Sequence, residues 1–358
     1  MHIPDGYLGP QTYLPALGVM GVLWGVAVAK LKKSLRLRQV PLLALGAAFS
    51  FVIMMFNVPI PGGTTGHAVG AVLVAILFGP WAAVVAVSLA LAIQALLFGD
   101  GGITALGANC LNMAVICPFV GWGVYRLIAG AAPVRSRRHW IGGALGGWLG
   151  LTAAALVAGV EFGIQPLLAH DAAGRALYCP FGLAVAVPAM ALTHLLVFGL
   201  IEGLVTALVV AHFQRTAPEM LSGPGAARRP MALVPKLAIV VLIMLLLVPL
   251  GLYLPAWLHA GPAWGEWNAQ QVQEKVGYTP SGLGAAEAHG FHAPLPNYAA
   301  PGQASAPLPA RSTWYLLSGA VGVMAIGLAL LLLRGVLSRK GGEADAALVE
   351  AHPRHPHP

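Results

Sequence analysis

The feature that most constrains this chain is a succession of apolar stretches with few charges inside them. They run at roughly 11–30, 40–58, 67–79, 81–98, 104–128, 139–160, 181–211, 233–254 and 313–335. Most approach the twenty or so residues that a helix needs to cross a bilayer. Only 9% of the residues are charged and 58% are apolar, against about 25% charged in a soluble domain. An ordinary soluble globule is therefore excluded. Backbone polar groups in lipid must be satisfied within the spanning element, and long alternating runs are lacking, so the spans are predicted to be helices. The expected fold is an all-α integral membrane protein, a polytopic helical bundle of about nine spans. The third stretch is short, and Gly79-Pro80 breaks it from the fourth. Either the two form a tight helical pair, or one helix enters the bilayer only part way.

Lys and Arg give the expected orientation, because cytoplasmic loops carry an excess of them. Positive residues cluster at 30–38, at 126–138, at 215–236 and at the C-terminal end, and these clusters hold 17 of the 20. Only Arg175, Lys275 and Arg311 fall in the alternate loops. Nine spans with this bias put the N-terminus outside and the C-terminus in the cytoplasm of a bacterial inner membrane. The net charge of +8, which in a soluble chain would point to nucleic acid, is assigned to those loops, and no nucleic-acid partner is expected.

Composition also divides the chain. Residues 1–212 read as one membrane unit. Residues 213–232 (FQRTAPEMLSGPGAARRPMA) are polar and rich in Pro and Gly, as a cytoplasmic linker would be. Residues 233–340 follow as a two-span unit enclosing an outer segment at 255–312, which reads as a loop ordered by its neighbours. Residues 341–358 form a His- and Pro-rich cytoplasmic tail with His352, His355 and His357. The seven-span core is thus joined to a two-span C-terminal unit.

The first six residues, MHIPDG, carry the sharpest chemistry. No signal-peptide pattern is visible, so Met1 is expected to be the mature N-terminus. The Met1 amine, the His2 amide and the His2 imidazole can close fused five- and six-membered rings in one plane around a metal ion. A fourth in-plane ligand would complete a square. Planar nitrogen sites favour Ni(II) or Cu(II) over tetrahedral Zn(II), and binding must displace a proton from the amine. The charge bias places His67, in PGGTTGHAVG (61–70), on the same outer side. Its glycines could carry the backbone down toward the N-terminus. On this stretch alone, a turn with an incidental histidine is the plainer reading.

Other polar residues are weighed in the same way. Asn109 and Asn112, in GDGGITALGANCLNMA (99–114), are spaced i, i+3 on an apolar helix and should face protein. They could hold the His67 loop or orient a ligand from behind, or simply bond helix to helix. Glu161, His194 and Glu202 are ionisable groups in or near spans and so are functional candidates, although Glu202 could instead pair near the cytoplasmic end. His289 and His292 could pass metal inward, but a solvated loop suits them better. Cys110, Cys117 and Cys179 lack CxxC spacing and are expected to be buried free thiols.

No GxxxxGK[ST], HExxH or GxSxG pattern is present, and the spans offer no clustered acid, base or nucleophile. An enzyme is not expected. A stand-alone secondary transporter is disfavoured by few intramembrane charges and no clear internal repeat.

MHIPDGYL, PGGTTGHAVGAVLVAILFGPWAA (61–83) and FGDGGITALGANCLNMA (98–114) closely resemble the CbiM/NikM family. Its members are the substrate-capturing membrane components of energy-coupling factor importers for cobalt or nickel. The resemblance covers about residues 1–212. Residues 231–340, with APLPNY, more loosely resemble the small CbiN/NikN subunit, as though the two were fused. It implies metal ligands at Met1, His2 and His67, with no resident cofactor. It also implies a CbiQ/NikQ-type transmembrane coupling subunit and CbiO/NikO-type ATPases as partners, which would supply the missing P-loop. MHIPDG looks more like the nickel branch, and planarity leans the same way, so Ni(II) is the expected cargo. Co(II), for cobalamin biosynthesis, is the alternative.

Overall fold

The computed structural model describes residues 1–34, 39–60, 63–222, 230–303 and 306–338. The C-terminal tail and part of the linker, with His352, His355 and His357, lie outside them. Almost everything described is helical. Seven helices are long and apolar enough to cross a membrane: α1 (Pro10–Lys33), α4 (Pro80–Phe98), α5 (Leu106–Ala129), α6 (Arg138–Leu168), α7 (Leu183–Thr216), α8 (Met231–Trp257) and α11 (Leu308–Leu333). Between them lie α2 (Val40–Met54), α3 (Ala71–Phe78), α9 (Ala269–Val276) and α10 (Ser281–His289).

Among the described residues the second and third apolar stretches form shorter helices than the other seven, because the backbone breaks within them. The second apolar stretch loses its helix at Met54, and Val58–Pro59 (β1) pairs antiparallel with Thr65–Gly66 (β2). At about 1.5 Å per residue, the 15-residue α2 is shorter than the roughly 30 Å hydrocarbon core. The third stretch becomes α3, eight residues that are all buried by protein. It stops at Gly79 (φ +89°), and Pro80 then opens α4, where a missing N–H costs nothing.

Small residues set the spacing of the helices. In the GGALGGWLG run of α6, Gly146 and Gly150 lie against Cys117 and Gly121 of α5. Gly143 and Gly147 lie against Glu202, Gly203 and Thr206 of α7. Close approach of this kind is the usual basis of helix packing in membranes. Three π-helical turns interrupt the long helices, at Gln94–Phe98, Leu111–Ile116 and His194–Phe198. Each contains a buried polar residue, Gln94, Asn112 or His194. Cys110, Cys117 and Cys179 are free and buried, as expected.

In the C-terminal unit, α8 and α11 pack on α2. The outer segment between them is more ordered than its composition suggests. A capping box at Asn268 and Gln271 starts α9, and Trp264 bridges to Thr64 beside β2. The segment lies over the N-terminus, where the Tyr7 hydroxyl donates to the Trp267 carbonyl at 2.7 Å.

Candidate metal centre

The chain begins inside the protein. Met1, His2 and Ile3 are all buried, held by backbone contacts that fix their course. Asn109 grips Ile3 twice, its Oδ1 accepting from the Ile3 amide at 2.8 Å and its Nδ2 donating to the Ile3 carbonyl at 3.1 Å. The Gly102 amide donates to the same carbonyl at 2.9 Å. Asp5 accepts from the Ile103 and Thr104 amides, at 3.1 and 2.8 Å, just before α5. Further on, the Gly9 amide donates to Gln165 and the Cys179 amide to Tyr7. With so many partners the N-terminal segment cannot fray as most chain ends do.

The Met1 amine donates to the Thr65 carbonyl at 3.2 Å, within β2 and two residues before His67. The rings of His2 and His67 face one another, centroids 4.8 Å apart and tilted by 46°. They are 5% and 1% exposed. The structure thus brings Met1, His2 and His67 together. His67 Nδ1 lies 3.1 Å from the Ala68 carbonyl, which fixes the proton on Nδ1. Its Nε2 is buried without a partner, and so is Nε2 of His2. A buried nitrogen with no hydrogen bond is costly, and His67 Nε2, beside the Met1 amine and His2, is a donor left without a partner. Among the described residues no group of three or more His, Cys, Asp or Glu side chains is placed to hold a metal ion.

Asp100 is a neighbour that the sequence reading did not single out. Its Oδ1 lies 2.5 Å from His2 Nδ1. Its Oδ2 accepts from the Tyr298 hydroxyl at 2.5 Å, and Gln94 donates to that hydroxyl at 3.0 Å. A fused-ring chelate uses Nδ1 of His2, the atom that the structure pairs with Asp100. Burial alone would raise the Asp100 carboxyl, but the adjacent His2 charge and the hydrogen bonds from His2 and Tyr298 hold it below the usual range. Burial pulls the Met1 amine below its ordinary 8.0, partly offset by the carboxylates of Glu266 and Asp100. Glu266 accepts from the Thr65 hydroxyl. With His2, Asp100, Tyr298 and Arg311 it lines a cavity of about 470 Å³. Glu266, Tyr298 and Arg311 all come from the C-terminal unit.

The remaining candidates separate. Asn112 does not touch the N-terminus, and its Nδ2 donates to Glu161 at 2.6 Å. His194, in α7, donates from Nδ1 to the Met190 carbonyl and leaves Nε2 buried without a partner. It lies within electrostatic reach of the Met1 amine and His67. Glu202 accepts from the amides of Val69 and Gly70 rather than from a cytoplasmic neighbour. His289 and His292 are exposed.

Comparison with known proteins adds the family. Residues 2–220 match the CbiM family, described as the cobalt uptake substrate-specific transmembrane region. The chain is 48% identical to the fused nickel transport protein NikMN of Rhodobacter capsulatus, over 96% of this chain and 100% of the relative. It is 39% identical to the cobalt transport protein CbiM of Lachnoclostridium phytofermentans, over 36% of this chain and 52% of the relative. A crystal structure of a truncated transition metal transporter superposes with a TM-score of 0.58 at 53% identity, covering 60% of this chain and 99% of that one. The chain belongs to the CbiM family of cobalt uptake substrate-specific transmembrane proteins, as a nickel/cobalt transport membrane component whose CbiM-like unit is fused to a NikN-like part.

Proposed function

We propose that this protein captures Ni(II) at the outer face of the membrane and carries it into the cytoplasm, as the substrate-specific component of an energy-coupling factor importer. The observation that carries this reading is the buried amine of Met1 beside the imidazoles of His2 and His67, with Nε2 of His67 left without a partner. Nickel is the substrate, held by the Met1 amine, the amide and imidazole of His2, and His67. For the His2 amide and Nδ1 to join one planar chelate, the ring turns away from Asp100, and the ion replaces the hydrogen bond given up there. Asn109 keeps the N-terminal segment in register while this happens.

ATP hydrolysis falls to separate cytoplasmic ATPases, linked through a transmembrane coupling subunit, and this chain is not an enzyme. The charge bias favours a bacterial inner membrane, with the N-terminus outside and the C-terminus in the cytoplasm. Co(II) is the second reading, supported by the cobalt transport protein among the relatives. Full-length similarity to a fused nickel transport protein weighs toward nickel.

The test is to titrate Ni(II) and Co(II) into purified protein with a native N-terminus, and into a version extended by one N-terminal glycine. Tight Ni(II) binding with a yellow, square-planar spectrum, lost on extension, is the expected result. Equal binding by both forms would remove the N-terminal amine from the site.

A further inference from the structure

One residue of α7 is a buried acid that neither the chelate nor the helix itself requires. Glu202 is fully buried in the middle of a span. Its Oε2 accepts from the amides of Val69 at 2.7 Å and Gly70 at 2.9 Å. These belong to the segment that runs from His67 into α3, so the carboxylate takes up backbone donors two and three residues beyond the proposed ligand. Its other oxygen, Oε1, is buried with no partner. A carboxylate inside a bilayer is expensive to keep, and a spare unsatisfied oxygen adds to the cost.

The same face of α7 holds the loop on the other side of His67. Phe198, one turn before Glu202, packs against Gly66 so closely that no side chain would fit at that position. One turn earlier again is His194, within electrostatic reach of His67. These residues recur at i, i+4 and i+8, with the π-helical turn His194–Phe198 beginning the series. Such turns recur at functional sites. The loop is therefore gripped by one helix at the residue before the histidine and at the second and third residues after it.

We propose that Glu202 is a positioning residue for metal capture: by clamping the Val69 and Gly70 amides to α7, it sets where His67 stands relative to the N-terminus. This rests on the capture reading given above. Asp at this position would be one methylene too short to reach, and Gln would keep an acceptor oxygen.

The experiment uses the full-length protein in detergent, with Ni(II) as the probe, read by calorimetry and by the absorption spectrum of the complex. E202A and E202D are expected to lose affinity by about 10–100-fold, the range seen when a residue behind a metal ligand is removed, with a changed d–d spectrum. E202Q is expected to stay within about 3-fold of the parent, since the acceptor oxygen is retained. T206A, one turn further along α7 and equally buried, is expected to bind as the parent does. In an H67A background, E202A should cost nothing further, because its effect passes through His67. Parental affinity in E202A and E202D would overturn the proposal. So would a glutamine that binds as poorly as alanine, or losses that add in the double variant. If the parent itself fails to bind Ni(II), the capture reading fails, which is a separate result from a parent that binds and an E202A that matches it.

Discussion

Asn109 and Ile3 are joined by a two-way hydrogen bond, the side-chain amide of one accepting from and donating to the backbone of the other at 2.8 and 3.1 Å. The pair fixes the third residue of the chain, and through it the two before it. We predict that Asn109→Ala weakens Ni(II) binding about 10–100-fold. The alanine also leaves the Ile3 amide without its acceptor, which costs about 1–3 kcal/mol of stability. Calorimetry and thermal unfolding of the same preparations check both. Unchanged affinity would show that the N-terminal segment holds its course without this contact.

His2→Ala and His67→Ala are each expected to abolish high-affinity binding, a loss beyond the roughly 100-fold ceiling for residues behind the ligands. Equilibrium dialysis with radioactive nickel measures it directly. Tight binding retained by either variant takes that residue out of the ligand set.

Proton release should report on the Met1 amine. Burial lowers its pKa from 8.0, so in the folded protein it sheds its proton at a lower pH than a free terminus does. Below that pKa a metal ion must displace a proton from the amine, and above it the amine contributes none. Release per ion should fall by about one proton as pH rises through that pKa, with the step below pH 8. The Glu266 charge raises the amine's pKa, so Glu266→Gln should move the step to still lower pH. Calorimetry in buffers of different ionisation enthalpy gives the count. A step at or above pH 8 contradicts the burial argument.

Gly6 has φ +84°, and a Cβ there would sit 2.7 Å from the Leu283 backbone of α10. Gly6→Ala therefore imposes both left-handed strain and overlap with the outer segment. A loss of about 1–3 kcal/mol is expected, read as a lowered unfolding temperature. Protease sensitivity should rise within 255–312, where the outer segment is displaced. A neutral result would mean that the segment does not rest on the N-terminus.

Much of the helical architecture was legible, because a bilayer admits few alternatives once apolar stretches of this length are present. The span count was less so. Hydropathy measures the solvent a stretch prefers and says little about helix continuity, so 40–58 and 67–79 read as spans although α2 ends at Met54 and α3 is only eight residues long. Gly79-Pro80 did mark that break. Around the candidate metal centre, MHIPDG marks the proposed donors through the chemistry of a terminal amine next to histidine. The spacing of Asn109 and Asn112 could not tell which of them meets Ile3 and which meets Glu161, since both lie on one helix and differ only in depth. Asp100, in a glycine-rich turn, gave no pattern to separate it from an ordinary loop acid. Glu266 and Tyr298 are 264 and 296 positions beyond His2 in an outer segment without periodicity, and only the folded chain brings them back.

That return of the outer segment has a consequence for assembly. In a two-chain version of this architecture, contacts such as Tyr298 with Asp100 would depend on the abundance of a second polypeptide and on its dissociation constant. Here both belong to one polypeptide, and a covalent tether holds its ends at an effective concentration of about millimolar. Every copy thus carries the outer segment in a fixed ratio of one to one, and dilution in the membrane or uneven expression cannot strip it from the candidate metal centre.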